Sequence, residues 1–197
     1  MAAAGGLDAG QITVASKGRI QVAPYDEALT FPTDMTELDA PWIDLGYANE
    51  DGATFTATPS IEDINAWQSA TPVRRLTTAR ELTVATALMQ WNRDSFGVAF
   101  GGGTWSESGV APDTVYRYTP PADQDPLAEF AVVIDAEDGD RVQRYVVYKC
   151  NITEAVETQL VRTGAAVLPV TFNALTPADK DFAWEFLTSD AEFATAA

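Results

Sequence analysis

The chain has 197 residues, 46% of them hydrophobic, which suits one ordinary domain with a buried core and argues against wholesale disorder. It holds one cysteine and no histidine, which excludes an internal disulfide, zinc sites built on cysteine or histidine, and every catalytic arrangement that needs an imidazole. A formal net charge of −17, spread along the chain, disfavours nucleic-acid binding, and no apolar stretch reaches the ~18 residues of a membrane-spanning helix.

Residues 1–10 (MAAAGGLDAG) read as a flexible tail of small residues. They lack a basic region followed by an apolar core, so no signal peptide is expected and a cytosolic origin is the default. QITVAS (11–16) and RIQVAP (19–24) alternate with period two around Lys17 and Gly18, which predicts a tight hairpin. Residues 24–41 are acidic and turn-rich and predict a long loop with apolar anchors. The stretch PWIDLGYANEDGATFT (41–56) predicts a short strand over 42–45, a turn at Asp51-Gly52, and a lead over 53–58 into a second long loop, 57–75. Loops of this length on a small domain usually have a task.

TTARELTVATALMQWN (77–92) supports two readings. Thr78 and Glu81 form a possible capping box, whereas Leu82, Val84, Thr86 and Leu88 share one strand face. After it, Asn92 is placed to cap a short helix over 93–100, which the glycines of GGGTW (101–105) terminate. No Gly-Lys-Ser/Thr follows those glycines, so they are no phosphate loop. VYRYT (115–119) predicts a short strand. Two alternating runs, 127–137 and 141–150, flank Asp138-Gly139-Asp140 and predict a hairpin with a DG turn; Cys150 reads as a half-buried strand thiol. AAVLPVTFNA (165–174) predicts a strand whose Pro169 needs an edge or a bulge. Over 176–187, Thr176, Pro177, Phe182 and Phe186 predict a short terminal helix.

The chemical motifs are weak. DAEDGD (135–140) lacks the ligand order of a calcium loop and reads as a solvated turn. With 29 acidic residues, a suggestive carboxylate pair carries no weight for glycoside hydrolysis. No enzyme activity, cofactor or metal is expected. Phe31, Trp42, Tyr47, Trp67 and Trp105 lie outside the clear strands, and two roles stay open for them: folding loops back onto the domain, or forming an assembly surface. Arg74, Arg75 and Arg80 are rare cations in an acidic chain, either intersubunit ion-pair partners or exposed charges of little energetic worth.

The order WIDLGYANEDGATFT, INAWQSATPVRRL, ELTVATALMQWN and FGVAFGG resembles the major tail (tail tube) proteins of long, non-contractile-tailed phages (siphophages), especially those of actinobacteria. The resemblance covers residues 11–175, read as a tail tube β domain, with 176–197 left as a C-terminal helix or tail. It implies a mainly β fold, a β-sandwich or partly closed barrel with one short flanking helix and long assembly loops. In that reading 80–91 is a strand and 93–100 the helix. It also implies homohexameric rings stacked into a tube through which DNA passes without specific binding. The implied partners are the chain itself, the tape measure protein, and tail terminator and tail-tip proteins. The place is the virion tail, after assembly in host cytoplasm and without membrane contact. Phe31, Trp42, Tyr47, Trp67, Arg74, Arg75 and Arg80 become interface candidates, and 80–91, 127–137 and 141–150 candidates for the sheet that lines or supports the lumen. The alternatives are a tail-completion or capsid decoration protein, or a carbohydrate-binding or carbohydrate-active β-sandwich module.

Overall fold

The computed structural model describes residues 9–154 and 156–193. Ten strands and one α-helix follow in chain order: β1 (Lys17–Pro24), β2 (Ile43–Asp44), β3 (Ala48–Ile64), β4 (Arg74–Leu88), α1 (Arg93–Ala99), β5 (Thr104–Ser108), β6 (Val115–Thr119), β7 (Glu129–Asp138), β8 (Arg141–Ile152), β9 (Leu168–Leu175) and β10 (Trp184–Thr188). All strand pairs are antiparallel. The main sheet runs β2-β1-β7-β8-β9-β4-β3, and β5-β6 form a separate hairpin.

The main sheet curls around one apolar core without closing. Ile20 and Val22 from β1, Val132 and Ile134 from β7, and Val147 and Cys150 from β8 meet Leu82, Val84 and Leu88 from β4 and Phe172 from β9. α1 plugs one end of this barrel with Val98 and Ala99. β7 and β8 carry nearly continuous apolar runs because both of their faces are covered. Their second face, Val133, Val146 and Tyr148, lies under Phe31, Leu38 and Trp42 of the long segment between β1 and β2. In β3 and β4 only one face is buried, so threonines alternate with core residues: Thr56 pairs with Thr83 beside the core pair Phe55 and Val84.

β8 changes partner along its length. Lys149–Ile152 pair with β9, and residues 143–147 pair with β10. β9 can therefore leave β8 and bond β4 with its other edge, which bends the sheet into a partly closed barrel. Pro169 falls where β9 is bonded to β4 alone, a local edge of the kind its missing amide requires.

Four expectations need correction. Residues 11–16 form no hairpin with β1: Lys17 and Gly18 lie inside β1, paired to Glu137 and Ala136. Ala9–Gln11 is a 3-10 turn, and 12–16 belong to no strand, although the Ser16 amide donates to the Glu137 carbonyl and the Val14 amide to Asp138; residues 1–8 of the expected tail lie outside the described residues. Asp51-Gly52 does not end a strand. It sits in a bulge within β3, where Gly52 takes a φ of 65°. Of residues 57–75 only 65–73 are loop, since β3 continues to Ile64 and β4 starts at Arg74. The terminal helix over 176–187 is absent; that stretch runs irregularly into β10, because residues 143–147 of β8 offer an unpaired edge and Trp184 and Phe186 fit it with period two. The strand reading of 80–91 holds through Leu88, and α1 has the expected cap, with Asn92 Oδ1 accepting from the amides of Asp94 and Ser95.

Candidate self-assembly surface

Two segments of the surface are built in opposite ways. The segment between β1 and β2 is locked to its own sheet. Arg144, 2% exposed, is directly opposite Asp135 across the β7-β8 hairpin and donates to both of its carboxylate oxygens at 2.6 and 2.7 Å. The same guanidinium donates to the carbonyls of Asp34 and Thr36 at 2.8 and 2.9 Å. One buried cation thus satisfies a carboxylate of the sheet and two backbone acceptors of the loop. Asp34 accepts from the amide and hydroxyl of Thr36, and these bonds, ahead of Arg144, hold its carboxyl below the usual aspartate value. Phe31 stacks edge-on against Tyr148 at 4.8 Å and Trp42 at 6.2 Å. The Tyr148 hydroxyl donates to Glu185, and burial first, then that bond, pushes its acidity out of reach.

The second segment projects. After Phe55 and Leu82, β3 and β4 leave the body as a two-stranded arm whose residues are nearly all exposed. The eight residues from Leu82 back to Arg74 carry it roughly 25 Å outward. Apolar side chains decorate it: Ile61, Ile64, Val73 and Leu76 are exposed, and Trp67 at the tip is 99% exposed. Bonds within the tip order it. The Val73 amide donates to the Ile64 carbonyl at 2.9 Å, the Ser69 amide to Ala66 at 3.1 Å, and the Ser69 hydroxyl to Thr71 at 2.8 Å.

The seven candidate residues separate accordingly. Phe31 and Trp42 are half-buried against their own sheet. Trp67, Arg74, Arg75 and Arg80 all lie on the arm, where Arg75 bonds its cross-strand neighbour Asp63 at 2.8 Å, while Arg74 and Arg80 have no ion-pair partner among the described residues. Tyr47, 79% exposed, borders the open seam of the barrel, a cleft of about 240 Å³ between β1 and β3. Trp105, expected outside the strands, lies in β5 and packs between Phe96 and Tyr118 at 5.7 and 5.2 Å, in a cleft of about 660 Å³ at the α1 end.

The interface candidates omit Ile61, Ile64, Val73 and Leu76, because a loop over 57–75 gives such residues no common face. They also omit Arg144 and Asp135, whose register a two-residue turn at Gly139-Asp140 fixes. Among the described residues no group of three or more His, Cys, Asp or Glu side chains could hold a metal ion, and no helix is long and apolar enough to cross a membrane. Cys150 is fully buried, its thiol donates to the Phe130 carbonyl, and burial raises its pKa well above the ordinary thiol value.

The arrangement offers an extended arm with exposed apolar side chains. No curated protein matches the chain significantly. A family model described as phage tail tube protein matches residues 5–197.

Proposed function

The chain belongs to the phage tail tube protein family, and we propose that it is the subunit of a siphophage tail, forming six-membered rings that stack into the tube through which DNA leaves the virion. Membership makes it a structural protein of the virion tail that assembles with copies of itself and other tail proteins. The observation that carries the finer reading is the β3-β4 arm, roughly 25 Å of ordered strand with exposed Ile61, Ile64, Trp67, Val73 and Leu76, which a solitary soluble protein has no reason to present.

In this reading the arm reaches a neighbouring ring, and Arg74 and Arg80 meet carboxylates of another copy. Strands β4, β7 and β8 belong to the sheet that lines or supports the lumen. The chain acts without catalysis or cofactor. A net charge of −17 per copy repels DNA phosphates, so the passing duplex slides instead of binding. A tape measure protein occupies the lumen before ejection, and terminator and tip proteins close the ends after assembly in host cytoplasm. Tyr47 at the seam, and Phe31 and Trp42 on the anchored loop, border contacts between neighbours in a ring. Negative-stain microscopy of the purified protein tests the reading: tubes or six-fold rings are expected, and a protein that stays monomeric and cannot join tails overturns it.

A further inference from the structure

Strand directions place the arm and α1 at opposite ends of the molecule. Leu88 pairs with Leu168 and Ala48 at the end where α1 and β5-β6 are inserted, and β4 runs back from there to Arg74 beneath the tip. The 15 residues of β4, roughly 50 Å of strand, separate the two ends. At the α1 end lies the 660 Å³ cleft, floored by Phe96 and Trp105 and walled by Trp91 and Tyr116, with Arg93 and Glu107 on its rim. Tyr116 is 66% exposed, and Trp105 Nε1 is buried with no hydrogen-bond partner among the described residues. The wall is held in place, since the Trp91 indole donates to the Ala166 carbonyl at 3.0 Å and Phe96 lies 6.0 Å from it.

We infer that the aromatic cleft at the α1 end is the socket for the arm tip of a second copy, with Trp67 as the inserted side chain. Two observations match occupant to site. Trp67 is the largest fully exposed apolar side chain, and the cleft is an open aromatic concavity of greater volume than one indole. In a chain with 29 acidic residues, the ten residues from Ile64 to Val73 carry no ionisable side chain, so the tip enters without stripping a charge of water. Because tip and socket are different patches at opposite ends, the contact is heterologous and repeats from copy to copy along an axis. This rests on the tube-subunit reading and names the surface that receives the arm.

The test keeps both tryptophans in place. Gln68→Cys and Glu107→Cys are made in separate chains, each checked for native circular dichroism, mixed, assembled and mildly oxidised; buried Cys150 stays unreactive. A disulfide between the two variants, absent from either alone and from the dilute unassembled mixture, is expected. In parallel, Trp67→Ala raises the concentration needed for tube formation roughly tenfold or more, as for a central interface anchor, and Trp67→Phe restores most of the loss. Tubes that form without the 68–107 disulfide, or with Trp67→Ala behaving as wild type, overturn this contact and leave the tube-subunit reading standing. Wild-type protein that forms neither tubes nor rings overturns both.

Discussion

Arg144 is the side chain on which one whole surface segment depends. Truncating it to Ala leaves Asp135 with an uncompensated charge at a site only 13% exposed and frees the carbonyls of Asp34 and Thr36. A loss of about 3–5 kcal/mol in urea denaturation is expected, with faster proteolysis between residues 25 and 42. Acid reports on the neighbouring carboxylates. Asp34 and Asp190 are both held below the ordinary aspartate value, the first through its bonds from Thr36, the second through the Glu192 amide ahead of Arg141. A depressed folded value means their contribution is present above the unfolded value and is lost as pH falls through the folded one. Unfolding followed by tryptophan fluorescence should therefore show the stability due to these two groups intact above about pH 4 and lost as pH falls further. Cys150 should resist thiol reagents in native buffer and react fully in urea, since burial suppresses its thiolate. The Asp135-Arg144 pair is legible in principle once the turn is taken as the two residues Gly139-Asp140, which sets 138 opposite 141 and hence 135 opposite 144; the three-residue turn 138–140 would have put 135 opposite 143. That Arg144 also holds a loop more than a hundred residues upstream is not legible, as no periodicity links 34–36 to β8.

The elements that sequence patterns located well are those with a buried face. β7 and β8 are apolar on both covered faces, β9 alternates because the core takes one of its faces, and α1 announces itself through Asn92 and the glycines that follow. The outer half of β3 has no buried face, so nothing imposes period two on TATPSIED, and Pro59 with two acidic residues disguises a strand held by cross-strand bonds alone. The C-terminal stretch failed for a different reason. FAWEF satisfies spacing four through Phe182 and Phe186 and spacing two through Trp184 and Phe186, and only the free edge of β8 decides between them. Independence of arm and body gives a direct experiment. Replacing residues 61–78 by Asn-Gly joins Ser60 to Ala79, which are already paired, through a two-residue turn. The shortened protein should melt within a few degrees of wild type by calorimetry, because surface changes away from the core seldom exceed about 0.5 kcal/mol. It should form no tubes under conditions where wild type does.

At the scale of the whole chain, association has to overcome a formal charge of −17 on every copy. Raising ionic strength from about 0.01 to about 0.15 M shortens the screening length from roughly 30 to roughly 8 Å, which weakens repulsion between copies more than apolar contact. Light scattering should show faster assembly and a lower threshold concentration across that range; slower assembly would mean that attractive pairs formed by Arg74 and Arg80 dominate instead. The chain resolves this conflict by local neutrality, keeping its ten-residue tip free of charge while the body remains acidic. The strand order adds one more constraint. With the β3-β4 tip at one end of every copy and α1 at the other, a polymer built on them has a direction, like an arrow. Its leading face offers only tips and its trailing face only clefts, so the two faces grow at unequal rates. A protein that halts growth at one face must imitate a tip, one that halts it at the other must imitate a cleft, and neither can replace the other.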